Sequence, residues 1–203
     1  MTPARHQLAA LVLLGLVNVA PGWASQDGAG TPTPFPASIG GAFELRDTDG
    51  NTRTQADPDG RTQLLYFGYA NCPGMCPVAL PLMAEIVDML AVDGIKVRPV
   101  MITVDQVRDT PGAMAAALAK YHEDFVGLTG EPAALARVYE AFSVAPQVMF
   151  EDEVAGTIYA HATQIFVLSG DGQVMSVLPP ILPTETLAGI VARYATSPIT
   201  TTQ

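Results

Sequence analysis

The sequence predicts an α/β domain: a mixed central sheet flanked by helices, with an N-terminal β-hairpin. Three observations carry this. Short apolar or aromatic runs alternate with longer stretches whose apolar residues recur at helical spacing. Turn signals, DTDG at 47–50 and SGDG at 169–172, each separate two extended runs. Finally, 49% of the 203 residues are hydrophobic and only 15% are charged, which suits one domain with a real core and excludes a mostly solvated chain.

The elements follow in order. Residues 42–46 and 51–54 flank the DTDG turn and predict the hairpin. Residues 63–68 (QLLYFG) are apolar throughout after the first, which predicts a buried strand. Leu80, Met83, Ile86, Val87 and Leu90 share one helical face over 77–92, and Gly94 is the stop. Residues 96–104 (KVRPVMITV) predict the next strand, with Pro99 marking a bulge or bend. Thr110 followed by Pro111 reads as an N-cap and first helical position, opening a helix to about Tyr121. A further helix is expected over 131–142. Residues 163–168 and 173–178 form a second hairpin, and Thr184–Thr196 closes the domain as a helix. The folded domain is thus expected over 39–196.

Residues 1–24 carry Arg5, an apolar run over 8–20, and small residues Gly22 and Ala24 before an expected cleavage point. This is the pattern of an export signal. A membrane span needs roughly 20 apolar residues; the run is shorter and Pro21 ends it, so cleavage is favoured over an uncleaved anchor. No cysteine lies near it, which excludes a lipid-anchored lipoprotein. Residues 25–38 are rich in Gly, Pro, Ser and Thr and read as a linker, and 197–203 as a disordered tail. The formal charge of −10 excludes a phosphate-neutralising surface, so no nucleic-acid partner is expected.

The chemistry concentrates in residues 66–77, YFGYANCPGMCP. Both cysteines of the chain, Cys72 and Cys76, lie between a predicted strand and a predicted helix. Pro77 places Cys76 at the N-cap or in the first turn, where unpaired N–H groups and the helix dipole favour a thiolate. Pro73 and Gly74 let the intervening chain turn, so the two sulfurs converge. Three intervening residues make a wider loop than the usual dithiol redox spacing. That loop suits two sulfurs flanking an ion, although a disulfide remains geometrically accessible. Of three histidines, His6 leaves with the signal and His122 lies among charged residues, as a solvated surface group would. His161 precedes a buried strand, either as a hydrogen-bonded loop residue or as a third ligand. Two thiolates and an imidazole suit Cu(I) and admit Cu(II); zinc would need a fourth ligand or water. Tyr66, Phe67 and Tyr69 are either core or a docking surface.

These residues resemble the signature of the SCO/SenC family of thioredoxin-fold copper proteins. Further matches are Ile102-Thr103-Val104-Asp105, Arg108-Asp109-Thr110-Pro111, Gly127-Leu128-Thr129-Gly130, and His161 before TQIFVLSGDG. The resemblance covers about residues 35–195. It implies a thioredoxin-like fold and copper held by Cys72, Cys76 and His161. It also implies assembly of the binuclear copper site of cytochrome c oxidase, with subunit II or its assembly factors and a copper donor protein as partners. The periplasm is the expected compartment. Two departures stand out. Ala160 occupies the place of the family's Asp before the histidine, and Gln106 that of its Pro. Asp105 is a candidate substitute carboxylate for the imidazole; its other reading is to cap the following turn. The alternative function is a metal-free thiol-disulfide oxidoreductase in which Cys72 and Cys76 are the redox pair. A peroxiredoxin-like peroxidase fits less well, because Tyr69 stands where its Thr is expected. No G-x-S-x-G elbow or phosphate loop is present.

Overall fold

The computed structural model describes residues 39–70, 72 and 76–196, with Cys76 and Pro77 as backbone only. The expected signal, the linker and the tail lie outside the described residues. Seven strands form one sheet in the order β2-β1-β5-β4-β3-β8-β9. These are β1 (Glu44–Asp47), β2 (Thr52–Thr54), β3 (Thr62–Gly68), β4 (Val97–Thr103), β5 (Val126–Thr129), β8 (Ile165–Leu168) and β9 (Val174–Leu178). Helices α1 (Cys76–Val92) and α2 (Pro111–Leu118) are the crossovers that make β3, β4 and β5 parallel neighbours. The two hairpins add the antiparallel flanks, β1 on β5 and β8 on β3.

The side-chain alternation of β3 organises the core. Leu64 and Tyr66 face Met83 and Ile86 of α1 and Leu187 and Val191 of α4 (Thr184–Thr196). Leu65 and Phe67 face the other way, onto Leu135 and Val138 of α3 (Pro132–Ala141). All seven residues of β3 are buried, as a central strand covered on both faces must be. Each fully buried Leu or Phe stabilises the fold by about 1.5–3 kcal/mol, so this strand is pinned far more firmly than either sheet edge. No helix among the described residues is long and apolar enough to cross a membrane.

Four features differ from expectation. Pro99 makes no bulge: β3 and β4 stay in register from Thr62↔Val97 to Gly68↔Thr103. Pairing of β5 with β4 begins only at Val100, so the proline sits where one edge of β4 is uncovered and a missing N–H is tolerated. Helix α2 ends at Leu118, and residues 119–121 continue only as turn. Strand β5 was not predicted. Nor was a separate hairpin, β6 (Gln147–Asp152) and β7 (Gly156–Ala160), which pairs with itself and forms no ladder with the main sheet.

Candidate functional site

Strand β3 ends at Gly68, and the chain then leads through Tyr69 and Ala70 into the cysteine loop. Cys72 is half-buried and packs against apolar residues from both sides of the sheet. Its backbone N–H donates to the Tyr69 carbonyl at 3.2 Å, which curls the loop back over the strand end. Cys76 is the first residue of α1, in the first-turn position the sequence indicated.

The histidine arrives from the other direction. Strand β7 ends at Ala160, and His161 follows it, half-buried. Its ring lies edge-on against Tyr66 and Tyr69, with centroids 5.9 Å away in each case. Both tyrosines belong to the stretch that runs into Cys72, so folding brings His161 to the sheet end that carries the cysteines. Imidazole Nδ1 is 2.8 Å from the Ala162 carbonyl. A carbonyl can only accept, so Nδ1 carries the proton, and Nε2 is the nitrogen left to ligate. Among the described residues, no three His, Cys, Asp or Glu side chains form a metal-holding group; the Cys76 side chain is not among them. The donor chemistry fits a soft ion: a sulfur at the strand end, a second cysteine opening the helix, and an imidazole whose Nδ1 is engaged with Ala162.

Asp105 is not the imidazole's substitute partner. Its carboxylate accepts from the Arg108 backbone N–H at 3.3 Å and forms an ion pair with Arg108 Nε. It caps the turn after β4, and the carbonyl of Ala162 serves the imidazole instead. The docking reading of Tyr69 also fails. Tyr66, Phe67 and Tyr69 are all essentially fully buried, and the Tyr69 hydroxyl accepts from the Tyr159 N–H at 3.3 Å. His122 is held rather than solvated: Nδ1 accepts from the Asp124 N–H at 3.0 Å, and Nε2 lies 3.3 Å from Asp88 on α1.

Two residues next to the site had received no role. Arg108 reaches the Ala155 and Thr157 carbonyls of the β6–β7 hairpin and lies over the Tyr69 ring, 5.7 Å from its centroid. Asp109 accepts the Ala70 N–H on both carboxylate oxygens at 3.1 Å and the Thr103 hydroxyl at 2.6 Å. Burial pushes the Asp109 carboxyl above the ordinary aspartate range. The hydrogen bonds from Thr103 and Ala70 oppose the shift, and the negative Asp105 adds to it. Burial likewise raises Tyr139, whose hydroxyl donates to the Thr103 carbonyl at 2.6 Å. The only signal for this network in the sequence was local, an Asp and an Arg three residues apart in a strand-to-helix turn.

Comparison with known proteins identifies the family and the fold. A family model described as SCO1/SenC matches residues 31–196. An SCO2-like protein of Rickettsia conorii is 35% identical over 136 residues, 66% of this chain and 66% of that protein. The chain thus spans just under two thirds of that relative's length. Among solved structures, Arabidopsis thaliana ScoI with copper bound superposes with a TM-score of 0.71 at 28% identity, covering 76% of this chain and 97% of that one. Bradyrhizobium japonicum ScoI with copper bound gives 0.68 at 30% identity, covering 77% and 99%. The thioredoxin-like fold expected from the sequence is therefore the fold of this chain.

Proposed function

Since the chain belongs to the SCO1/SenC family, we propose that it is a copper metallochaperone that takes up copper through Cys72, Cys76 and His161. It hands the ion to the binuclear copper site of cytochrome c oxidase subunit II, or to that site's assembly factors, after receiving it from a copper donor protein. It works in the periplasm, exported by residues 1–24 or anchored by them, with 25–38 as linker and 39–196 as the working domain. The observation that carries this reading is the approach of the His161 ring to Tyr66 and Tyr69, at the strand end that leads into Cys72 and Cys76.

The chemistry follows from the donors. Two thiolates and one imidazole satisfy a cuprous ion with three ligands, and a three-coordinate ion can be approached by an incoming thiolate. Transfer then proceeds by exchange of one sulfur ligand for another. The Nδ1–H···O bond to Ala162 fixes the tautomer, so the imidazole needs no proton rearrangement to bind or release.

Titration of the reduced protein with Cu(I) tests this. One equivalent binds to the wild type. Cys72→Ser and Cys76→Ser abolish uptake, and His161→Ala weakens it and alters the Cu(II) absorption bands. If all three variants bind as the wild type does, the site is elsewhere. If none of the proteins takes up copper but the metal-free chain reduces partner disulfides, the cysteines are a redox pair.

A further inference from the structure

The β6–β7 hairpin carries His161 at its exit but shares no ladder with the main sheet. Every residue of β6 is exposed and β7 is at most half-buried. Tyr159 packs on the core near the exit, but apolar burial does little to fix the turn, and something else must. At its exit the Tyr159 N–H donates to the Tyr69 hydroxyl and the two rings meet edge-on. At its turn the polar contacts described come from one side chain. Arg108 Nη1 donates to the Ala155 carbonyl and Nη2 to the Thr157 carbonyl, one on each side of Gly156. Its Nε is paired with Asp105, which is 2% exposed and anchored in the turn after β4. The planar fork thus ties the hairpin's turn to the body of the domain, a geometry that an ammonium cannot reproduce.

Gly156 shows how closely the fork is seated. It has φ +73, and a Cβ there would clash with Arg108 Nη1. The next residue of the same turn, Asp109, grips the other half of the site through the Ala70 N–H, two residues before Cys72. Adjacent side chains of one turn therefore hold the histidine strand and the cysteine loop.

We propose that Arg108 is the positioning residue for His161, and that the 105–109 turn is the bracket setting the distance between the two halves of the site. This rests on the copper reading only in so far as His161 is a ligand; the bracket itself is a property of the metal-free chain. Arg108 touches neither the imidazole nor a cysteine in any contact described, so its effect on binding is indirect.

The test compares full-length wild type, Arg108→Lys, Arg108→Ala, Gly156→Ala and His161→Ala. In metal-free protein, the His161 imidazole proton resonances are shifted by the two tyrosine rings that it faces, and His122 serves as internal control. Both Arg108 variants and Gly156→Ala should move the His161 signals toward those of an open imidazole and leave His122 unchanged. In copper-loaded protein, Arg108→Ala should take on the Cu(II) spectrum of His161→Ala and bind about tenfold or more weakly. Adding Arg108→Ala to His161→Ala should cost nothing further. Should Arg108→Ala fail to fold, Arg108→Lys and Gly156→Ala carry the same readings. Wild-type His161 resonances in the folded variants would overturn the bracket. If His161→Ala itself leaves the copper spectrum unchanged, the ligand assignment fails, and the metal-free resonances still decide the bracket.

Discussion

Two buried aspartates sit at opposite ends of the same pair of parallel strands, and their environments are opposite in sign. Asp57 lies just before β3, at the end away from the cysteines. Burial alone would raise its carboxyl, but Arg98 and the backbone N–H groups of Arg61 and Asp59 outweigh that and hold it below the ordinary range. Arg98 Nε is 2.8 Å away and Arg53 Nη2 3.7 Å. Asp109 lies beyond the end of β4, beside the cysteine loop. It has hydrogen-bond donors but no cation within ion-pair distance among the described residues, because the nearby Arg108 is committed to Asp105 and the hairpin. Burial therefore wins there and the carboxyl is pushed up. The difference shows which end of the sheet is built for stability. At one end the charges are matched; at the other, an unmatched carboxylate is kept because it holds the loop of Cys72.

The largest test of that contrast is Asp57→Ala. It takes from Arg98 and Arg53, both mostly buried, their most buried partner, leaving them, among the described residues, only Asp59 and Asp47, and removes the acceptor for two backbone N–H groups. Removing one partner of a buried ion pair costs about 3–5 kcal/mol, read as a drop in the urea midpoint at constant slope. Copper uptake per folded molecule should be unchanged. The sign with pH is fixed by the lowered carboxyl. Its stabilisation is fully present above the ordinary value of 3.8 and is lost as pH falls through the lower folded value. The gap between wild type and Asp57→Ala should therefore hold from neutral pH down to about 3.8 and narrow only below it. A loss under about 1 kcal/mol at neutral pH would mean that the matched end contributes no more than an exposed ion pair does.

What could be read in advance follows the same division. Strand β3, helices α1 and α4, and the Thr110 cap were legible because each is written locally, in an apolar run, a helical period or a capping residue. Strand β5 was not. It is four residues long and contains Gly127, whose absent side chain lets Leu118 approach; its strand character comes from lying between β4 and β1. The β6–β7 hairpin was invisible because a strand with no buried face has no alternation to detect. In the site, the spacing of Cys72 and Cys76 was legible; the place of His161 before a strand left it as either loop residue or ligand, and family resemblance favoured the ligand. Arg108 and Asp109 were only letters in a matched motif, since their contacts lie 47 and 39 residues away in the chain. Contacts of that range are made by the fold and leave no local pattern.

A smaller effect is expected at the unmatched end. Asp109→Asn keeps an oxygen that can accept the Ala70 N–H and removes a buried charge. The loss of a charge-assisted bond and the relief of burial oppose each other, so stability at pH 7 should change by less than about 1.5 kcal/mol. Its pH dependence runs opposite to that of Asp57. A raised carboxyl means that the folded state holds its proton more tightly, so the wild type loses stability as pH rises from 3.8 through the higher folded value. The Asn variant lacks that slope. Urea midpoints between pH 4 and 7 should show the variant gaining on the wild type as pH rises, and parallel curves would refute the assignment.

The smallest effect should come from Asp59→Ala, back at the matched end. Asp59 makes as many ion pairs as Asp57, with Arg98 Nη2 at 2.5 Å and Arg61 Nη2 at 3.2 Å, but its side chain is 54% exposed. Water screens those pairs, and Arg98 keeps Asp57 when Asp59 is gone. The loss should stay below about 1 kcal/mol. It should shrink further near 1 M salt, where the screening length is about 3 Å. The Asp57 effect should persist in the same salt, because its pair is shielded from solvent. If both substitutions cost the same and fade together, the number of charges governs this end of the sheet; if only Asp59 fades, burial does.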